Sequence, residues 1–232
     1  MTRVLRNSFF VIGLGILISA ASVSEAKAQG VLGEILKRMD LNNKSLQSLQ
    51  ADVTMVKTNT QLGVSDTSTG STKYLPKLGG RPMYVRIDWV KPVEEQVSVI
   101  GDDYELYRKR LNQVIVGKVD KAKNSAGAGN ALGFMSMSKD QLKKNYDVQF
   151  IAQENIKGGI ATWHLMLTPK TATNYKNAEL WVDGDGFPVQ AKITENNTDF
   201  TTVLLENIRK NITLAGTVFK LQYPSSAKKI KA

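Results

Sequence analysis

The sequence has no cysteine and a single histidine, His164. The first absence excludes disulfides, thiolate metal sites, a cysteine nucleophile and a lipid-modified cysteine at a processing site. The second removes the paired histidines on which many metal and acid–base sites are built. Aromatic residues make up only 7% of the chain, and no apolar run reaches the roughly 20 residues that span a bilayer. Acidic residues are also in deficit, 21 against 31 lysines and arginines, for a net charge of +10. A basic surface suits anionic lipid headgroups or an acidic partner.

What is present begins with an export signal. MTRVLRN is a basic start, SFFVIGLGILISAASV a short apolar run, and Ala26-Lys27-Ala28 the small-x-small pattern read by a leader peptidase. Cleavage is expected near Ala28 or Gln29, leaving residues 1–29 as leader and 30–232 as one soluble domain in a bacterial periplasm. Export speaks against nucleic acid as the partner of the basic surface. A chain of this length buries roughly 70% of its unfolded surface, enough for a sizeable core.

After the leader, Val31, Leu32, Ile35, Leu36 and Met39 recur at helical spacing and predict an amphipathic helix ending near Asn42-Asn43. From Leu49 the period becomes two. Leu49, Ala51, Val53 and Met55 share one strand face, as do Met83, Val85, Ile87 and Trp89 in GRPMYVRIDWVKP. Residues 61–72 are small and polar and read as a loop or long hairpin connection. Strands are expected around 71–77, 83–90, 95–100, 103–109, 112–119, 147–154, 160–168, 178–183, 187–195, 199–208 and 217–222, spaced like an antiparallel meander. Ser138 is a candidate cap for a short helix KDQLKKNY. The fold class is therefore mainly β with a few helices: about 11 strands in an unclosed, half-barrel antiparallel sheet, its concave side covered by helices.

The polar constellations are weak. His164 falls opposite the apolar set Ala161, Trp163, Leu165 and Leu167, on the sheet surface with Thr162 and Met166. Asp183-Gly184-Asp185-Gly186 resembles a calcium loop but lacks the further ligands and closing glutamate, so it reads as a tight turn. Glu94-Glu95 and Asp102-Asp103 sit in turns or at strand edges, without the arrangement of an acid–base couple. Residues 126–137 mix glycine and alanine with soft methionines, and suit either a core-capping helix or a movable lid. Arg81, held extended by Pro82, is either solvated or reaches across to backbone carbonyls.

In their order and spacing, Arg81-Pro82, VRIDW, Lys91-Pro92, GDDYELYRKRLNQV, LTPK, AELWVDGDGFPVQAKI, TTVLLENI and VFKLQYP resemble the periplasmic outer-membrane lipoprotein carriers of the LolA type. The resemblance covers most of residues 31–224. It implies a hydrophobic concavity that takes the acyl chains of lipoproteins from an inner-membrane lipoprotein-releasing ABC transporter to an outer-membrane acceptor lipoprotein, with no cofactor and no catalysis, in a monomer. By the same resemblance Val85, Ile87 and Trp89 line the cavity, joined on neighbouring strands by Val53, Met55, Val97 and Val99. Arg81 would lock a lid containing Leu132, Phe134 and Met135. Three features stand outside the pattern: the Leu78-Gly79-Gly80 insertion, the N-terminal strand LQADVTMVK without the phenylalanine and glutamine often seen in the typical carrier, and the basic tail AKKIKA. A carrier or sensor of another lipid uses the same features, and a lipid-modifying enzyme lacks its nucleophile–base pair.

Overall fold

The computed structural model describes residues 21–119, 133 and 137–231, with side chains from Gln29 onward. The expected lid residues Leu132, Phe134 and Met135 lie outside the described residues. Helix α1 (Ala21–Ser45) precedes strands β1 (Leu49–Asn59), β2 (Val64–Leu75), β3 (Tyr84–Lys91), β4 (Glu95–Ile100), β5 (Asp103–Arg108) and β6 (Gln113–Lys118). Helix α2 (Lys139–Asn145) leads into β7 (Tyr146–Ile156), β8 (Ile160–Pro169), β9 (Tyr175–Asp183), β10 (Pro188–Glu195) and β11 (Phe200–Lys210), and β12 (Lys228–Lys231) follows. These form one 12-stranded sheet in the order β12-β6-β5-β4-β3-β2-β1-β11-β10-β9-β8-β7, not closed into a barrel. The pairings are antiparallel, except that β12 runs parallel to β6.

The alternation read in the sequence sets the two faces. Leu49, Ala51, Val53 and Met55 of β1 are buried on the concave face, with Leu165 and Leu167 of β8, Ala178, Leu180 and Val182 of β9, and Val203 and Leu205 of β11. Ile35, Leu36 and Met39 bring the apolar stripe of α1 onto this face. Burying three such side chains is worth about 2 kcal/mol each. Leu142 of α2 joins the same core, and the cap expected at Ser138 is a full capping box. Its Oγ accepts from Gln141 N, and Gln141 Oε1 accepts from Ser138 N.

Two expectations are corrected. The polar stretch 61–72 is not a loop beyond Gly63, because β2 pairs with β1 from Asn59↔Val64 to Leu49↔Tyr74. Its first four residues are exposed on both faces and the next four only half-buried, which allows serine, threonine and aspartate where a strand is usually half apolar. Residues 217–222 are not a strand. Gly216–Phe219 is a 3-10 turn, and its carbonyls are taken by side chains instead of a ladder: Arg86 Nη1 donates to Val218 and Lys220, and Ser98 Oγ to Phe219. Phe219, fully buried, packs on Tyr84 at 5.3 Å between ring centroids. The convex face of β3–β6 is thus covered by this segment, Leu221 and Tyr223. The strand that sequence periodicity missed is β12, too short and too lysine-rich to show alternation.

Buried hydroxyls give the fold an alkaline limit. Burial pushes the Tyr104 hydroxyl above its ordinary 10.0, against the opposing pull of nearby Arg108. Burial also raises Tyr175, reinforced by the 2.6 Å hydrogen bond it shares with Tyr146. Both stay neutral in the folded chain at a pH where the unfolded chain ionises. Their contribution is complete below pH 10 and is lost as pH rises through the folded values. Denaturation monitored by circular dichroism should show this loss, and Tyr104→Phe with Tyr175→Phe should reduce it.

The concave wall as candidate functional site

Strand registers place the sequence-derived wall residues on one face. Ala51, Thr72, Ile87, Val97, Leu106 and Ile115 follow one another directly across β1 to β6. A second row runs Leu49, Tyr74, Val85, Val99, Tyr104. The wall has two apolar clusters. Val53, Met55 and Ile87 belong to the large one beneath the helices, and Val85, Trp89 and Val97 pack against it half-buried. Tyr104 and Leu106 form the smaller one with Val97, Val99, Ile115 and Val119, so Val97 joins the two. All seven expected cavity residues therefore share the face that α1 covers in part, but three of them sit in its tight core.

A polar island interrupts this wall. Trp89 pairs with Glu95, which pairs with Arg108, and Arg108 Nε lies 3.2 Å from Glu95 Oε1. That nitrogen is buried and, although close enough for an ion pair, is not directed as a hydrogen bond. Glu95 is thus half of a cross-strand pair facing the concave side, while its neighbour Glu94 takes Lys109 at 2.7 Å. Pairing register finds this island, but adjacency in sequence does not.

Helix α1 is pinned from outside the wall. The β9–β10 turn closes with Gly186 N donating to Asp183 O and Asp183 N to Phe187 O, while Asp183 Oδ1 accepts from the backbone of Asp185 and Phe187. The Asp-Gly-Asp-Gly motif is therefore a turn, as expected. The turn also offers two carbonyls to the helix: Arg38 Nη1 donates to Gly184 O at 2.9 Å and Asn42 Nδ2 to Asp185 O at 3.3 Å. Arg38 also lies over the Trp163 ring, 5.4 Å from its centroid. Sequence reading found the turn and the helix but not the clamp between them.

Arg81 belongs to the turn made by the Leu78-Gly79-Gly80 insertion. Leu78 and Arg81 exchange backbone hydrogen bonds, and both glycines have positive φ. Its Nη2 donates to Pro76 O at 3.2 Å, while its Nε is buried and has no hydrogen-bond partner among the described residues. His164 is on the convex face, stacked on Trp181 at 4.3 Å. Its Nε2 is 2.8 Å from Glu179 and its Nδ1 3.0 Å from Glu154. A cavity of about 450 Å³ opens elsewhere, at the β1–β11 bulge, lined by Gln50, Ala51, Asp52, Asn207, Ile208 and Arg209. Among the described residues no helix is long and apolar enough to cross a membrane.

Residues 44–222 match the family model described as outer membrane lipoprotein carrier protein LolA. The chain belongs to the LolA family. The LolA fold is shared with solved structures at low identity. An uncharacterized conserved protein from Thermus thermophilus is 14% identical with a TM-score of 0.56, covering 87% of this chain and 99% of that one. A crystal structure of MucB is 14% identical with a TM-score of 0.54, covering 85% of this chain and 63% of that one. A chain of the Pseudomonas aeruginosa MucA/MucB complex gives 13% identity and a TM-score of 0.50, covering 82% of this chain and 60% of that one. At these identities the likeness is one of fold. No curated protein matches the sequence significantly. The LolA-family match ends at Gln222, so Tyr223 and the residues of β12 lie beyond it.

Proposed function

We propose that this chain is a periplasmic carrier that takes the acyl chains of lipoproteins against the concave wall of its sheet and moves them from the inner to the outer membrane. Residues 1–29 would be its leader and 30–232 the carrier domain. The single observation that carries the reading is the cross-strand row from Ala51 to Ile115, apolar except for Thr72, on the face where α1 inserts Ile35, Leu36 and Met39. Family membership supplies the class of cargo. The inner-membrane transporter and outer-membrane acceptor follow from the same resemblance, and the MucA/MucB complex is an instance of protein partnering on this fold. The chemistry is binding and release, without a catalytic step.

Energetics explain how such a carrier lets go. A buried methylene is worth about 0.8 kcal/mol, so a chain of a dozen would hold on with roughly 10 kcal/mol against bare water. If the guest displaces the α1 stripe, about 6 kcal/mol of burial is given up in exchange. The net preference is then a few kcal/mol, and an acceptor of modest advantage reverses it.

The test is mass spectrometry of what co-purifies with the chain from its native periplasm. Acylated polypeptide is the expected result; free lipid alone would replace lipoprotein by another amphiphile, and no apolar guest would count against the reading. Val99→Glu is the matching variant, since Val99 is half-buried in the smaller cluster and a charge there meets water before it meets core. Binding of a fluorescent fatty acid should fall at least tenfold with the circular dichroism unchanged. Unaltered binding would remove this part of the wall from the site.

A further inference from the structure

Beyond the family match, Tyr223 and β12 build a basic edge onto the sheet. Tyr223 packs on Tyr107 with ring centroids 5.6 Å apart, Asn112 Nδ2 donates to Ser226 Oγ, and Lys228 N donates to Asn112 O at 2.9 Å. The chain is thereby laid along β6 as a parallel strand, Lys228↔Gln113 to Lys231↔Val116. All four residues of this strand are exposed.

Among the described residues the edge concentrates cations outside ion pairs. Lys109 and Lys118 are neutralised by Glu94 and Asp103. Among the described residues Arg110, Lys228 and Lys231 make no ion pair, and Lys229 lies over the Tyr223 ring, 5.3 Å from its centroid. Arg110 and Leu111 directly precede Asn112, which bonds Lys228, so they border the strand. Two apolar side chains stand open among these charges, Leu111 at 55% exposure and Ile230 at 37%. Ile230 pairs with Ile115 and so continues the concave row to the rim of the sheet.

We infer that this edge, Arg110-Leu111 with Lys228–Lys231, is a docking surface for an anionic phospholipid bilayer. Cations alone would suit any polyanion, but cations interleaved with exposed leucine and isoleucine match an interface where headgroups are charged and the layer beneath is apolar. Seated there, the concave row would open at the bilayer surface, so an acyl chain would pass between membrane and wall with little exposure to water. That use of the edge rests on the carrier reading, whereas the docking does not.

The experiment measures co-sedimentation of the full mature chain with vesicles of phosphatidylcholine, with and without phosphatidylglycerol. Association is expected with the anionic vesicles alone, weakening with salt as the Debye length contracts. At roughly fivefold per lysine near an anionic surface, Lys228→Gln, Lys229→Gln and Lys231→Gln together should weaken it about a hundredfold. The corresponding triple arginine variant should bind like the parent, separating loss of charge from loss of the strand. Equal binding to neutral vesicles, no binding by the parent, or parental binding by the triple glutamine variant would each overturn the proposal. So would a concentration-dependent dimer in sedimentation that the same triple variant abolishes, with no vesicle binding, since the edge would then serve a second copy. Fatty-acid binding, measured in parallel, is expected to be unchanged by the triple variant. Its absence in the parent would sink the carrier reading and leave the docking result standing.

Discussion

Gly186→Val should unfold the chain or leave it without a seated helix α1. Gly186 has φ of +85°, in the left-handed region that a β-branched residue adopts only with strain. A Cβ there would also fall 2.4 Å from the backbone carbonyl carbon of Arg38 and 2.6 Å from its oxygen. Backbone cannot step aside as a side-chain tip can, so α1 must lift away from the β9–β10 turn. Lifting it breaks the Arg38–Gly184 and Asn42–Asp185 bonds and uncovers Ile35, Leu36 and Met39. Strain of about 1–3 kcal/mol and the loss of most of the roughly 6 kcal/mol of helix burial together rival the 5–15 kcal/mol that holds a typical domain. Urea denaturation should report a loss above about 4 kcal/mol, or a dye for exposed apolar surface should bind the native state. A parental midpoint with no dye binding would mean that the turn does not clamp the helix.

Ile87→Glu is expected to be similarly severe, for a different reason. Ile87 is 2% exposed at the middle of the concave row, between Thr72 and Val97. Replacing it gives up about 2 kcal/mol of side-chain burial and places a carboxyl where no water reaches, for a further several kcal/mol unless it takes up a proton. A fall in the thermal midpoint of roughly 10 °C or more is expected, partly recovered at low pH as the carboxyl is neutralised. A midpoint within a degree or two of the parent would mean that Ile87 borders open space. The contrast with Val99→Glu is informative: one face, two positions, with the core beneath the first and half-buried wall around the second.

That contrast also marks how far the sequence can be read. Period-two alternation grouped Val53 with Met55, and Val85 with Ile87 and Trp89, because alternation is a property of single strands; only the strand registers bring these groups, with Val97 and Val99, to one face. Alternation could not say which of them lie under α1, since that depends on where a helix crosses strands far away in sequence. Nor could it find the Glu95–Arg108 pair, which register creates across a turn, or the Arg38–Gly184 contact, which joins positions 146 residues apart. The polar strand β2 escaped because its first eight residues are exposed or only half-buried, and residues 217–222 misled because Phe219 and Leu221 alternate as in a strand while packing as a strap on the convex face. Ser138 and the Asp-Gly turn were legible because caps and turns are local chemistry.

The two borders of the sheet differ in kind. One finishes in a four-residue strand with three lysines, a length and charge that discourage a stranger from adding on. The other is the 11-residue β7, kinked by a register slip between Phe150 and Ala152, with Ile151 turned outward. A molecule with a single adhesive border can zip to one twin and then has nothing left to offer. Faulty association of this chain should therefore stop at pairs instead of growing into fibres.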